Sequence, residues 1–164
     1  MGVSPEVAAL VRGYVAEGAR RAGRDPAEVV VWSRAAVALG PHRERCVDDV
    51  KPALAAAAHH AFRGSLEGKA VPPEVAAKVP ALEAGYVVHA HSRVGGDNPN
   101  ARLVDGLGLT DYLLERFAVV GTPREAAARL RELAAGGITH LTLRPMARDK
   151  LEFLRLWRQV LEHL

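Results

Sequence analysis

Between Gly121 and Pro145 the sequence GTPREAAARLRELAAGGITHLTLRP changes its hydrophobic period. Ala126, Leu130, Leu133 and Ala134 recur at helical spacing, while Arg124, Arg129, Arg131 and Glu132 fall largely off that face. Thr122, Pro123 and Glu125 make a capping-box start, and Gly136-Gly137 stop the helix. Ile138 to Leu143 is then rich in β-branched residues, as a strand requires. With the apolar run Phe117 to Val120 just upstream, the pattern predicts a strand–helix–strand unit: parallel strands joined by a right-handed crossover.

The same reading applies to the rest of the chain. Ser4 stands as an N-cap before Pro5 and Glu6, and a helix runs to about Arg21 with Val7, Leu10, Val11, Tyr14 and Val15 on its apolar face. After Gly23 and the Asp25-Pro26 turn, Val29 to Leu39 is nearly continuous in apolar residues, which predicts a strand covered on both faces. Arg34 interrupts it, and either faces water or a ligand near an open sheet face or pairs with a buried carboxylate. A helix from about His42 to Phe62 follows, with Cys46, Val47, Val50, Leu54, Ala57, Ala58 and Ala61 toward the core. Pro52 inside it predicts a kink or a split. Further helices are expected over 74–84, interrupted by Pro80, over 101–109 and over 112–116. A polar, glycine-rich loop (VHAHSRVGGDNPN, 88–100) lies between them. A last helix spans 149–164, with Leu151, Leu154, Leu156, Trp157, Val160 and Leu161 expected to be buried.

Three strands (29–39, 117–120 and 138–143), each followed by a helix, place the chain in the α/β class as one domain, 1–164, with a helical and loop insertion over 58–116. Sequential βα units build either a doubly wound sheet or a (β/α)8 barrel, and three parallel strands cannot close a barrel.

Composition narrows the function more than the fold. Hydrophobic residues make up 49% of the chain, as in a globular protein, and the net charge is +3. No basic run and no basic–aromatic alternation points to nucleic acid, so the arginines read as surface. No segment is long and apolar enough for a membrane span, and the start lacks the basic and apolar regions of a signal peptide. The single Cys46 suits a reducing cytoplasm.

Candidate chemistry is sparse: no nucleophile–base pair, carboxylate pair or metal cluster stands out in the sequence. His59 and His60, adjacent at a helix end, read as partners of the last carbonyls sooner than as metal ligands. His89 and His91 would share a face on an extended segment and could face a substrate; no third ligand at a familiar spacing supports a metal there. Arg144, just past a strand, either contacts an anionic substrate or cofactor tail or makes a surface ion pair with a carboxylate such as Asp149. The backbone of Gly121-Thr122 either lines a pocket or serves only as the helix cap.

The stretch NARLVDGLGLTDYLLERFAVVGTPREAAARLRELAAGGITHLTL, together with the opening GVSPEVAALVRGYVAEGARRAGRDPAEVVVW, resembles the bacterial luciferase-like monooxygenase superfamily. Within it, the chain is most similar to the deazaflavin (coenzyme F-420) dependent reductases of the methylenetetrahydromethanopterin reductase type. The resemblance covers nearly the whole chain but only the second half of the family's (β/α)8 barrel. It therefore implies a partial barrel of about three parallel strands, an oxidoreductase acting on a small organic substrate, and FMN or coenzyme F-420 as cofactor. It also implies that Gly2, Val3 and Ser4 lie against the cofactor phosphate, where a helix N-terminus favours an anion; an ordinary N-cap explains Ser4 equally. The barrel's first five strands carry much of the cofactor pocket, so a lone chain is expected to be incomplete. It would associate with another copy or with a separate N-terminal half, or else be a non-catalytic half-barrel that self-associates.

Overall fold

The ladder of the first strand begins at Trp32, not at Val29, in the computed structural model, which describes residues 2–164. Asp25 accepts a hydrogen bond from the Ala27 amide and starts a single 3-10 turn, Pro26–Glu28, and the chain reaches its pairing partner only at Trp32. The strands are β1 (Trp32–Leu39), β2 (Ala118–Gly121) and β3 (His140–Pro145). Phe117, expected in the second strand, closes the preceding helix, and the third strand lies two positions later than its β-branched run suggests. Arg144 and Pro145 are thus strand residues.

The helices are α1 (Pro5–Arg21), α2 (Arg43–Phe62), α3 (Pro73–Ala76), α4 (Val79–Gly85), α5 (Pro99–Gly106), α6 (Thr110–Phe117), α7 (Pro123–Ala135) and α8 (Lys150–Glu162). All strand pairs are parallel and the order is β2-β1-β3, so the first strand is central. The connection from β1 to β2 runs one way across the sheet and that from β2 to β3 runs back. With crossovers of one hand, α2 and α7 must then cover opposite faces, and they do. On one face Ala36, Ala38, Ala118 and Val120 meet Val50, Ala53 and Leu54 of α2. On the other, Ala35, Val37 and Val119 meet Val3, Ala126, Ala127 and Leu133, with Phe153 and Val160 of α8. Only the second half of β1 is covered on both faces; its first residues are open, and Trp32 is 65% exposed.

Several helical expectations change with this packing. Pro52 is buried and α2 runs through it as one element, because the neighbouring Val50 and Leu54 hold the helix against the sheet on either side of the lost hydrogen bond. Pro80 does divide its segment, and sits in the first turn of α4. In α7, Ala127 is buried and Ala134 is exposed; Tyr14 of α1 is exposed and donates to the Gly68 carbonyl. In α8 the buried pair is Phe153 and Val160, with Trp157 stacked on Phe153, while Leu151, Leu154 and Leu161 are 67%, 60% and 56% exposed.

Two local devices hold the ends together. Arg116 is only 3% exposed. Its guanidinium donates to the carbonyls of Lys69 and Ala70 and to the Tyr112 hydroxyl, and lies over the rings of Phe62, Tyr112 and Phe117. Its own carbonyl accepts from the Val3 amide at 2.7 Å. The capping box is formed as expected: the Thr122 amide donates to Glu125 at 2.7 Å and the Glu125 amide to the Thr122 hydroxyl at 3.3 Å. The Thr122 amide, and then the Thr122 hydroxyl at 2.9 Å, donate to the Glu125 carboxylate and hold its pKa below the ordinary range.

Arg116→Ala should destabilise the fold by roughly 3 kcal/mol in a urea melt, since it removes the donors to two half-buried carbonyls and empties the space among three rings. Arg116→Lys should recover little, since one ammonium cannot reach the same acceptors. Thr122→Ala should cost about 1 kcal/mol at neutral pH. Because Glu125 titrates lower folded than unfolded, its contribution is present above the ordinary glutamate range and fades as pH falls through the lowered value. The deficit of Thr122→Ala, measured by denaturation, should therefore shrink on acidification.

Candidate functional site

Helix α2 lies over β1 and β2 and leaves β3 uncovered on the same face. Between the C-terminal half of α2 and the open half of the sheet lies a cleft of about 760 Å3. Its floor is Trp32, Arg34 and Ala36 from β1 with Arg144 from β3; its wall is Ala57, His60 and Ala61 from α2, with Phe117. Gly2, Lys69 and His91 reach its rim from three separate loops.

The strand register explains which side chains meet. Arg34 pairs with Thr142 and Ala36 with Arg144, so Trp32, Arg34, Ala36, His140, Thr142 and Arg144 all project from one face. Trp32 and His140 touch, with ring centroids 5.0 Å apart. Arg34 and Arg144 are diagonal neighbours, roughly 8 Å apart along the sheet from strand spacing and rise. At that separation and an effective dielectric near 20, two unit charges repel by about 2 kcal/mol, less where solvent reaches the exposed Arg34 end. No carboxylate lines the cleft among the described residues. Arg144 donates to the His91 carbonyl at 3.2 Å and the Ser92 hydroxyl at 3.4 Å, both neutral acceptors. Burial, and then the charge of Arg34, push its pKa down, with Tyr86 opposing. The ion pair with Asp149 does not form: that carboxylate caps α8 through the amides of Leu151 and Glu152.

The other sequence candidates are placed unevenly. Gly2 lines the cleft, with φ +142°, and a β-carbon there would come within 2.8 Å of Arg116, so the position requires glycine. Val3 is fully buried and its amide is committed to Arg116. Ser4 precedes α1, but its hydroxyl makes no capping bond. Gly121 and Thr122 lie at the far end of β2, away from this cleft. The Gly121 carbonyl accepts from the Gly40 amide, Arg43 donates to Val120, and Thr122 is occupied by the cap.

His89 and His91 sit around a 3-10 turn, Val88–Ala90, so they do not share an extended face; His91 turns its Nδ1 onto the Val88 carbonyl, and His89 is exposed. His59 does not meet the helix-end carbonyls. It stacks on Tyr86 at 4.3 Å, and its buried Nδ1 has no hydrogen-bond partner. Burial and the neighbouring His60 and Arg63 push its pKa down. No group of metal-ligating side chains forms among the described residues, and no described helix is long and apolar enough to cross a membrane.

Lys69 and Trp32 are cleft residues that sequence reasoning did not single out, and His60, read from the sequence only as a partner of the helix-end carbonyls, lies in the cleft wall. For Trp32 a signal was present, since it alternates with Arg34 on one strand face. For Lys69 there was none, because only the loop after α2 brings it to the sheet.

A model of the luciferase-like monooxygenase family matches residues 1–140. Among solved structures, the coenzyme F-420 dependent tetrahydromethanopterin reductase from Methanopyrus kandleri aligns with a TM-score of 0.64 at 19% identity. The alignment covers 99% of this chain and 43% of the reductase, so the chain spans less than half the length of that protein. At this identity the likeness is one of fold. It takes in α8, which lies beyond the family match.

Proposed function

This chain belongs to the luciferase-like monooxygenase family, and from that premise we propose that it is the C-terminal portion of a flavin- or coenzyme F-420-dependent oxidoreductase. The observation that carries the reading is the convergence of Gly2 and Arg144, from opposite ends of the chain, on one cleft beside an exposed indole. The residues present suit such a cofactor. Trp32 offers an apolar face to a planar ring, and a cleft free of carboxylates accepts the anionic part of a cofactor or substrate. Bound FMN or deazaflavin would supply the redox chemistry, either hydride transfer to a small organic substrate or oxygen activation by reduced flavin. The chain's own residues hold and orient: Arg144 meets negative charge, and Ala57 and Ala61 keep the α2 wall low enough to admit a flat molecule. The lone, buried Cys46, whose thiol burial pushes up in pKa, supports a reducing cytoplasm.

A second reading, a half-barrel that acts by association, is favoured by the exposed leucines of α8 and by the outer edge of β3, which pairs with β1 alone. Its partner is another copy or a separate N-terminal half.

Titrating FMN and coenzyme F-420 against the intrinsic fluorescence should give saturable quenching. Trp32→Phe should remove most of that quenching while Trp157 still emits and the far-ultraviolet dichroism is unchanged; no quenching by either cofactor would sink the oxidoreductase reading for this chain. Light scattering tests the second reading: a dimer that Leu154→Glu converts to monomer, with little change in melting temperature, is the expected result.

A further inference from the structure

We propose that Arg34 and Arg144 form a recognition pair for one multiply charged oxyanion, a phosphate monoester or pyrophosphate group, held over the open face of the sheet. The site itself follows from the residues; the proposal rests on the oxidoreductase reading only in taking the phosphate of a bound cofactor as the anion's source.

Three observations carry it. First, the parallel register fixes both guanidinium-bearing residues on one face as diagonal neighbours on hydrogen-bonded strands, so two positive charges are built into a rigid element and not into mobile loops. Second, neither charge is matched by the protein. Arg34 makes no ion pair or side-chain hydrogen bond among the described residues, and Arg144 donates only to a carbonyl and a hydroxyl. Third, the surrounding wall adds donors and no carboxylate, with His60, His91 and Lys69 at the rim. Like charges held together in a half-buried cleft are costly without a counter-charge, and one dianion relieves both at once. Guanidinium groups suit this role because their planar forks meet two oxygens each.

The turn before α1 is a poorer place for the same charge. The Val3 amide already bonds the Arg116 carbonyl, and its side chain is sealed in the core, so that turn has one fewer donor to offer. Charge recognition therefore sits on the sheet, with Gly2 at the rim.

Calorimetric titration of the full chain with inorganic pyrophosphate at low ionic strength tests the pair. Wild type should bind saturably, Arg34→Gln and Arg144→Gln should each weaken binding by about tenfold, and the double variant should not bind. Arg144→Lys should retain more than Arg144→Gln, and circular dichroism checks that each variant is folded. No saturable binding, or binding that the variants leave unchanged, overturns the proposal. Competition then separates it from the cofactor reading. FMN should displace pyrophosphate and riboflavin should not. If pyrophosphate binds through both arginines while FMN neither binds nor competes, the anion site stands and the oxidoreductase reading falls. If FMN binds equally well to wild type and both variants, the reading stands and the arginine pair is overturned.

Discussion

The close approach of α2 to the sheet organises this molecule. Ala36 and Ala38 of β1 and Ala118 of β2 face Ala53, Leu54 and Ala58 of α2, all buried. Small side chains on both surfaces let the helix lie low over the central strands, and interior packing at crystal-like density leaves no room for larger ones. The helix is 20 residues long and carries a buried proline, yet it stays whole because packing and not hydrogen bonding alone holds it. The same contact explains the cleft. A helix seated over β1 and β2 cannot also cover β3, so the arginine-bearing half of the sheet stays open.

Arg116 serves as a second fixed point, at the other end of that contact. It gathers the loop after α2, the aromatic cluster of Phe62, Tyr112 and Phe117, and, through its carbonyl, the segment that enters α1. A buried guanidinium that satisfies carbonyls is a structural cation, and its hydrogen bonds leave it little freedom to serve a ligand. The contrast with Arg34 and Arg144 is instructive. All three are arginines near one cleft, but Arg116 is 3% exposed, bonded to two carbonyls and a hydroxyl and packed over three rings. Arg34 makes no side-chain hydrogen bond among the described residues, and Arg144 donates only to one carbonyl and one hydroxyl at the cleft.

The family gives this arrangement its meaning without supplying its details. In enzymes that rely on a cofactor for redox chemistry, the protein's task is to hold a flat, charged molecule in one orientation. An indole, two arginines and an alanine-lined wall on rigid elements are suited to that task. The exposed leucines of α8 and the unpaired outer edge of β3 are the apolar and hydrogen-bonding surfaces on which the proposed association rests.

What the sequence determined by itself was local. Thr122, Pro123 and Glu125 dictate a helix start because the cap bonds lie within one turn, and Gly136-Gly137 dictate its end. The period of the apolar positions sufficed for every long helix and for the α/β class, while the family came from the resemblance of two particular stretches and not from any period. What the tertiary structure decided was whatever depends on distant partners. The strand order β2-β1-β3, and with it the pairing of Trp32 with His140, is a choice among edges that no local pattern encodes. The true starts of β1 and β3 follow from where each meets the other, not from β propensity. The apolar positions of α8 were legible as apolar, but which of them is buried depends on the angle at which the helix meets α7 and the sheet. Arg34 could be read only as a charge in a strand, facing a ligand, water or a hidden carboxylate. The tertiary structure removed the carboxylate alternative: hydrogen bonding between β1 and β3 sets Arg144 diagonally beside Arg34, and among the described residues Arg34 makes no ion pair and no carboxylate lines the cleft.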